Sequence, residues 1–170
     1  MPPFKEVAKS VFFLIIMVIL AIWLSPIILV IGILYLGYRI RRFFKRRNVI
    51  KKVREVWFPK GKCAFFMYSD SKKWKEYLET ELIPQIKDRT AIWNWSTRRK
   101  TGWNEDLLDY QVLKLFRGFG YFYPIGIVFL PSGEVKTFQF YDDYFNFLKG
   151  KGEYKNKEKE FVDLVNSIKI

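Results

Sequence analysis

Residues 124–135 read Pro-Ile-Gly-Ile-Val-Phe-Leu-Pro-Ser-Gly-Glu-Val, and this stretch carries the clearest sign of the fold. The apolar run at residues 125–130 predicts a strand, and the run at residues 135–141 predicts a second strand. The Pro-Ser-Gly-Glu sequence at residues 131–134 is typical of a turn. The C-terminal half of the chain is therefore predicted to contain a β-hairpin.

Two strand–helix pairs precede this hairpin. Residues 63–68 (Cys-Ala-Phe-Phe-Met-Tyr) form an apolar run that predicts a buried strand. Either Ser69 or Asp70 is placed to cap a following helix over residues 71–87. Residues 91–95 then predict a second strand.

A helix lies on each side of the hairpin. Asn104 is placed to cap the first of these helices, and Arg117 and Gly118 are placed to close it. Phe161, Val165 and other apolar residues at helical spacing predict the second helix at the C-terminus.

The predicted order of elements is β-α-β-α-β-β-α, which places the domain in the α/β class. Residues 58–170 are 113 residues, enough for one compact domain. Crossover helices are expected to make the first strands parallel, and the hairpin adds an antiparallel strand.

This order resembles the thioredoxin fold over residues 62–170. Its most specific point is Tyr123-Pro124 directly before the third strand. Thioredoxin-like proteins carry a cis-proline there, followed by an apolar strand, a glycine-containing turn and another strand. The family binds extended substrates beside this proline and beside the loop after the first strand. The resemblance therefore implies a partner-binding groove formed by Ser69, Asp70, Ser71, Trp74, Tyr123 and Pro124.

The sequence departs from that family where its redox chemistry would take place. The Cys-x-x-Cys motif belongs after the first strand, but residues 68–73 read Tyr-Ser-Asp-Ser-Lys-Lys. The single cysteine, Cys63, comes several residues too early and is interpreted as a small buried apolar residue. Residues 142–157 are an insertion relative to the compact family pattern. The chain has no histidine, and we expect no catalytic residue, no cofactor and no metal site.

The N-terminal part has a different character. After a short segment at residues 1–10, the 28 residues at positions 11–38 carry no charge. As a helix they would reach about 42 Å, and the hydrocarbon core of a bilayer is about 30 Å thick. We expect a membrane helix kinked at Pro26, because proline removes one helical hydrogen bond. A re-entrant hairpin that breaks at Ser25-Pro26 is the alternative.

The net charge of +13 is concentrated directly after this segment. Residues 39–57 alternate basic and apolar residues, which predicts an amphipathic helix beside the membrane. By the positive-inside rule the C-terminal domain is cytoplasmic, at the inner or plasma membrane if the organism is bacterial. The residues expected at the membrane interface are Arg39, Arg41, Arg42, Lys45, Arg46, Arg47, Lys51, Lys52 and Arg54.

These features together predict a membrane-anchored, non-redox interaction module that is a subunit or adaptor of a membrane protein complex. The expected partners are the lipid bilayer and another membrane or membrane-associated protein. Two alternatives stay open. One is an atypical thioredoxin-like enzyme that uses Ser69, Ser71 or Cys63, and the other is a basic tether to anionic lipid or nucleic acid. Nucleic acid is the less favoured partner, because residues 58–170 carry 19 basic and 15 acidic residues and hence little surplus charge.

Overall fold

The structure is a computed structural model of the chain. It describes residues 4–97, 107–117, 124–142 and 154–170, apart from the side chains at 4–8, 10–11, 18–22, 24 and 154–155. The chain divides into two compact units, Met1–Phe44 and Lys45–Ile170.

The first helix, α1, covers Phe4–Val56 and has Pro26 in its interior. A re-entrant hairpin would require the chain to leave the helical conformation at Ser25-Pro26, but the helix is continuous there. In the parts of the chain that the structure describes, no helix is both long enough and apolar enough to cross a membrane.

The second unit consists of the end of α1 and a mixed α/β domain. The strands and helices of this domain follow the predicted order. A short 3₁₀ turn, Phe58–Lys60, leads from α1 to the first strand. The remaining elements are β1 (Ala64–Tyr68), α2 (Lys75–Tyr77), a π-helical turn (Leu78–Leu82), α3 (Ile83–Ile86), β2 (Thr90–Asn94), α4 (Leu108–Phe116), β3 (Ile125–Phe129), β4 (Val135–Gln139) and α5 (Tyr154–Ser167).

The four strands form one sheet in the order β2-β1-β3-β4. β1 and β2 are parallel, and β3 and β4 form the antiparallel hairpin, so both predictions are confirmed. β3, however, runs antiparallel to β1, although a helix lies between β2 and β3 in the sequence. The expectation of parallel first strands therefore holds for β1 and β2 only.

Helices cover the sheet on both faces, which explains why every residue of β1 and β3 is buried. Along β1, Phe66 and Tyr68 belong to one apolar cluster, whereas Phe65 and Met67 belong to the other. This alternation follows from the period of two in a strand. The first cluster contains residues of segment 78–86 and of α5, and the second contains residues of α4 and of the end of α1.

Aromatic side chains fill much of both clusters. Phe66, Phe138, Phe140 and Phe161 contact one another with ring centroids 5.3–6.3 Å apart. On the other face of the sheet, the rings in contact belong to Trp57, Phe65, Trp93, Phe116 and Phe129. A large part of the aromatic content of the domain is thus accounted for by its core.

The end of α1 is part of this core. Val49, Val53 and Trp57 are 5%, 0% and 5% exposed and pack in the second cluster. Val53 and Trp57, two apolar residues of the predicted amphipathic helix at residues 39–57, are therefore not available to lie on a membrane. It also explains why the compact unit begins at Lys45 and not at residue 58.

The first helical segment of the domain also differs from the prediction. Its N-cap residue is Trp74, which makes no side-chain cap, so neither Ser69 nor Asp70 caps the helix. In the π-helical turn the amide of Ile83 donates to the carbonyl of Leu78, five residues earlier. This wider turn ends two residues before Pro84, a residue that lacks the amide hydrogen a regular helix would use.

Candidate protein-binding site

One edge of the sheet brings together most of the residues implied in the groove. Tyr68 pairs with Asn94 at the ends of β1 and β2, and Met67 pairs with Ile125 at the start of β3. Ile125 pairs in turn with Gln139 at the end of β4. The segments that leave these four positions therefore lie at the same edge. We call it the Pro124 edge, formed by residues 69–74, 94–96, Pro124 and residues 140–141.

The loop after β1 is held to the end of β2 through Asp70. The backbone amide of Asp70 donates to Ser96 Oγ at 3.0 Å, and Asn94 Nδ2 donates to Asp70 Oδ1 at 2.8 Å. Lys75 Nζ lies 2.9 Å from the same carboxylate oxygen, and this contact raises the pKa of the Lys75 ammonium. Asp70 is thus a structural link between two loops.

Asn94 also organises the chain that follows β2. Its side-chain oxygen accepts hydrogen bonds from the amides of Ser96 at 2.9 Å and Thr97 at 3.4 Å. Short polar side chains commonly bond to backbone groups two or three residues ahead in this way. The two loops of the Pro124 edge are consequently fixed by a continuous set of hydrogen bonds.

Trp74 is the buried aromatic residue at this edge. Its side chain is 8% exposed, and its ring meets the Tyr141 ring edge to face with centroids 6.1 Å apart. The indole N–H is buried and has no hydrogen-bond acceptor among the residues that the structure describes. By contrast, Trp93 Nε1 donates to Asp109 Oδ2 at 2.7 Å. A buried donor without an acceptor costs about 1–3 kcal/mol.

Pro124 joins this edge through its backbone. It is buried, and its carbonyl accepts a hydrogen bond from the amide of Phe140 at 3.0 Å. Ser69 and Ser71 are half-buried and Asp70 is exposed, so the loop presents polar groups beside the buried Trp74 and Pro124. Five of the six implied groove residues therefore lie together.

The sixth groove residue, Tyr123, lies outside the described residues, as does most of the insertion at residues 142–157. The sequence reasoning also missed Asn94, Ser96 and Tyr141. The first two could have been found, because the carboxyl ends of neighbouring parallel strands share an edge.

Tyr68 has a titratable group near this edge. Its hydroxyl donates to Glu79 Oε1 at 2.8 Å. Burial, followed by the hydrogen bond to the Glu79 carboxylate, raises the pKa of Tyr68 to about 12. The phenol is therefore neutral at physiological pH and fixed by its acceptor, which suits a structural role better than proton transfer.

Cys63 lies at the other end of β1 from the Pro124 edge. It is fully buried, and its thiol donates to the carbonyl of Val165 at 3.6 Å. Burial raises the pKa of this thiol and outweighs the opposing influence of Arg89. A buried, protonated thiol is a poor nucleophile. The prediction that Cys63 is a small buried residue is confirmed.

Of the nine basic residues after the apolar segment, Arg46 and Arg54 donate hydrogen bonds to backbone carbonyls of the domain. Arg46 donates from Nε and Nη2 to the carbonyl of Leu115 at 3.1 and 2.9 Å, and its guanidinium lies 5.3 Å from the Phe116 ring centroid. Arg54 donates to the carbonyl of Pro131. Both arginines hold the end of α1 to the domain, a role that the charge pattern did not predict.

Among the described residues, no three His, Cys, Asp or Glu side chains come close enough to hold a metal ion. No protein-family model, no curated protein and no solved structure matches this chain. The resemblance to thioredoxin-like proteins therefore rests on the order of elements and on the position of Pro124, and it stays a prediction.

Proposed function

We propose that this chain is a membrane-anchored, non-redox, thioredoxin-like interaction module on the cytoplasmic face of its membrane. Its α/β domain binds an extended segment of another protein at the Pro124 edge. In this role the chain is a subunit or adaptor of a membrane protein complex, and its partner supplies whatever chemistry the complex performs.

The observation that carries the proposal is the indole N–H of Trp74. It is a buried donor that lacks an acceptor among the described residues, and its ring contacts Tyr141 at the Pro124 edge. The indole nitrogen is closed to solvent, so an extended peptide would supply an acceptor carbonyl by displacing the side chains that cover it.

Binding is favoured over catalysis by the chemistry of the domain. The thiol of Cys63 is buried at the far end of β1, which removes the nucleophile of a redox reaction from the Pro124 edge. The Asp70 carboxylate accepts a hydrogen bond from Asn94 and pairs with Lys75, and these contacts give it a structural role in the loop. What remains at the edge is a buried indole, a buried proline and the polar atoms of the loop at residues 69–71.

Membrane anchoring is proposed from the complete sequence of residues 11–38, which contains no charged residue. Large apolar side chains of the first unit are exposed, including Trp23 at 75% and Leu34 at 68%. Exposed apolar surface of this kind marks contact with lipid or protein. The basic residues that follow favour a cytoplasmic domain.

The site is tested by photo-crosslinking in native cells. A photoreactive amino acid replaces Ser71 at the Pro124 edge, and a matched variant carries it at Lys87, an exposed residue after α3 that lies outside this edge. We expect a discrete crosslinked product from position 71 and none of the same mass from position 87. Equal products from both positions would show that the edge has no special role.

The orientation is tested separately with intact cells. Protease added outside should leave the domain uncut, and it should cut the domain once the membrane is permeabilised. Cleavage in intact cells would contradict the cytoplasmic placement of the domain. It would not bear on the crosslinking result, so the binding site and the orientation can fail separately.

A further inference from the structure

A cavity lies between the end of α1 and α4, within the second unit, and none of its lining residues belongs to the Pro124 edge. Its volume is about 260 Å³. The residues that line it are Lys45, Asn48, Val49 and Lys52 from α1, and Tyr110, Gln111, Lys114 and Leu115 from α4.

The lining combines positive charge with neutral hydrogen-bond donors. Among the described residues, the lining includes three lysines, two residues with side-chain amides and one tyrosine, and no Asp or Glu. Nearby acidic side chains have other partners. Asp109 accepts from Trp93 Nε1, and Glu55 lies 3.8 Å from Lys51 Nζ. The cavity is therefore suited to an anion with several acceptor oxygens.

The two walls of this cavity are held at a fixed spacing. Arg46 spans them by donating twice to the carbonyl of Leu115 on α4. Val49 on α1 is only 5% exposed, and the Lys114 ammonium on α4 lies 5.6 Å from the Tyr110 ring centroid. The three lysines are exposed, so only the backbone of the two walls, and not the lysine side chains, is preorganised for binding.

We propose that this cavity binds a phosphate group, either the headgroup of an anionic phospholipid or a soluble phosphate ester. Lysine ammonium groups neutralise the charge of the phosphate, and the amides of Asn48 and Gln111 donate to its oxygens. The soluble-phosphate form does not depend on the proposed function, and the lipid form adds a specific headgroup contact to the proposed anchor.

The experiment uses the purified full chain in mild detergent and native mass spectrometry. One arm adds phosphatidic acid beside phosphatidylcholine, and the other adds glycerol 3-phosphate. The test variant is Lys52→Gln with Lys114→Gln, and the matched control is Lys60→Gln with Lys87→Gln, which removes the same charge from exposed positions outside the cavity. Thermal unfolding of each variant checks that the domain stays folded.

We expect the parent and the control to bind one phosphate-containing ligand with similar affinity. Each lysine near a phosphate contributes about a fivefold change in affinity, so the test variant should bind roughly 25-fold more weakly. Binding of phosphatidic acid alone identifies the lipid as the source, and binding of glycerol 3-phosphate identifies a soluble ester. No bound ligand in either arm, or an equal loss in test and control variants, would overturn the proposal.

Discussion

Shortening Val53 tests whether the end of α1 belongs to the folded domain. Val53 is 0% exposed and packs in the cluster on the second face of the sheet, whereas Val56, three residues later in the same helix, is 42% exposed. Val53→Ala and Val56→Ala are therefore the same chemical change on one helix at two levels of burial.

The expected magnitude follows from the burial. Val53→Ala removes two carbon atoms from a closely packed site, which loses about 1.6 kcal/mol of transfer free energy and leaves a small cavity. The total loss in free energy of unfolding should be about 2–3 kcal/mol. Alanine is also the better helix former, by about half a kcal/mol, so Val56→Ala should be neutral or slightly stabilising.

The assay is thermal unfolding of the full chain in mild detergent, followed by near-ultraviolet circular dichroism. A loss of this size should lower the midpoint for Val53→Ala by about 10 °C and leave that of Val56→Ala nearly unchanged. Equal shifts for the two variants would refute the assignment of Val53 to the domain core.

Three further predictions concern the core and its titratable groups. Gly126→Ala should lower the free energy of unfolding by about 1–3 kcal/mol, because the new Cβ would lie 2.5 Å from Cε2 of the buried Phe161 ring. In a denaturation experiment, Phe161→Leu in the same chain should recover part of this loss. Recovery that fails to appear would argue against this contact. Cys63 should react with a thiol reagent at least about 10³-fold more slowly than an exposed cysteine, since the domain must open first, and rapid labelling under native conditions would contradict its burial. Because the folded-state pKa of Tyr68 is about 12, above the usual value near 10, its contribution to stability is present below pH 10 and is lost as the pH rises through 12. Glu79→Gln should lower this pKa, measured by NMR of labelled tyrosine, and an unchanged pKa would exclude the carboxylate as a cause.

The sequence predicted the order of strands and helices because its apolar runs and its turn residues were both clear. The runs at residues 63–68 and 125–130 are continuously apolar, as expected for strands covered on both faces, and the structure buries β1 and β3 throughout. The Pro-Ser-Gly-Glu turn at residues 131–134 was equally clear in the sequence. In the structure Gly133 adopts a φ of 95°, a conformation that favours glycine. For the candidate site, the loop after β1 and Pro124 could be placed from the element order.

The rest depended on long-range packing that local patterns do not encode. Val53 and Trp57 repeat on a helix rich in basic residues, and the same pattern suits a membrane surface or a protein core. Only the packing of the end of α1 on the sheet shows that Val53 and Trp57 belong to the protein core. The direction of β3 and the cavity that includes Lys114 likewise depend on which elements meet across more than 50 residues of sequence.

The central claim is that the Pro124 edge binds a protein partner, and the most direct measurement combines the crosslink from position 71 with Trp74→Phe. Phenylalanine keeps most of the buried ring but removes the indole N–H, so the domain should unfold at an unchanged or higher temperature. Because a partner carbonyl would lose its donor, at about 1–3 kcal/mol, the yield of the crosslinked product should fall about tenfold. An unchanged yield in a folded Trp74→Phe variant would contradict the account.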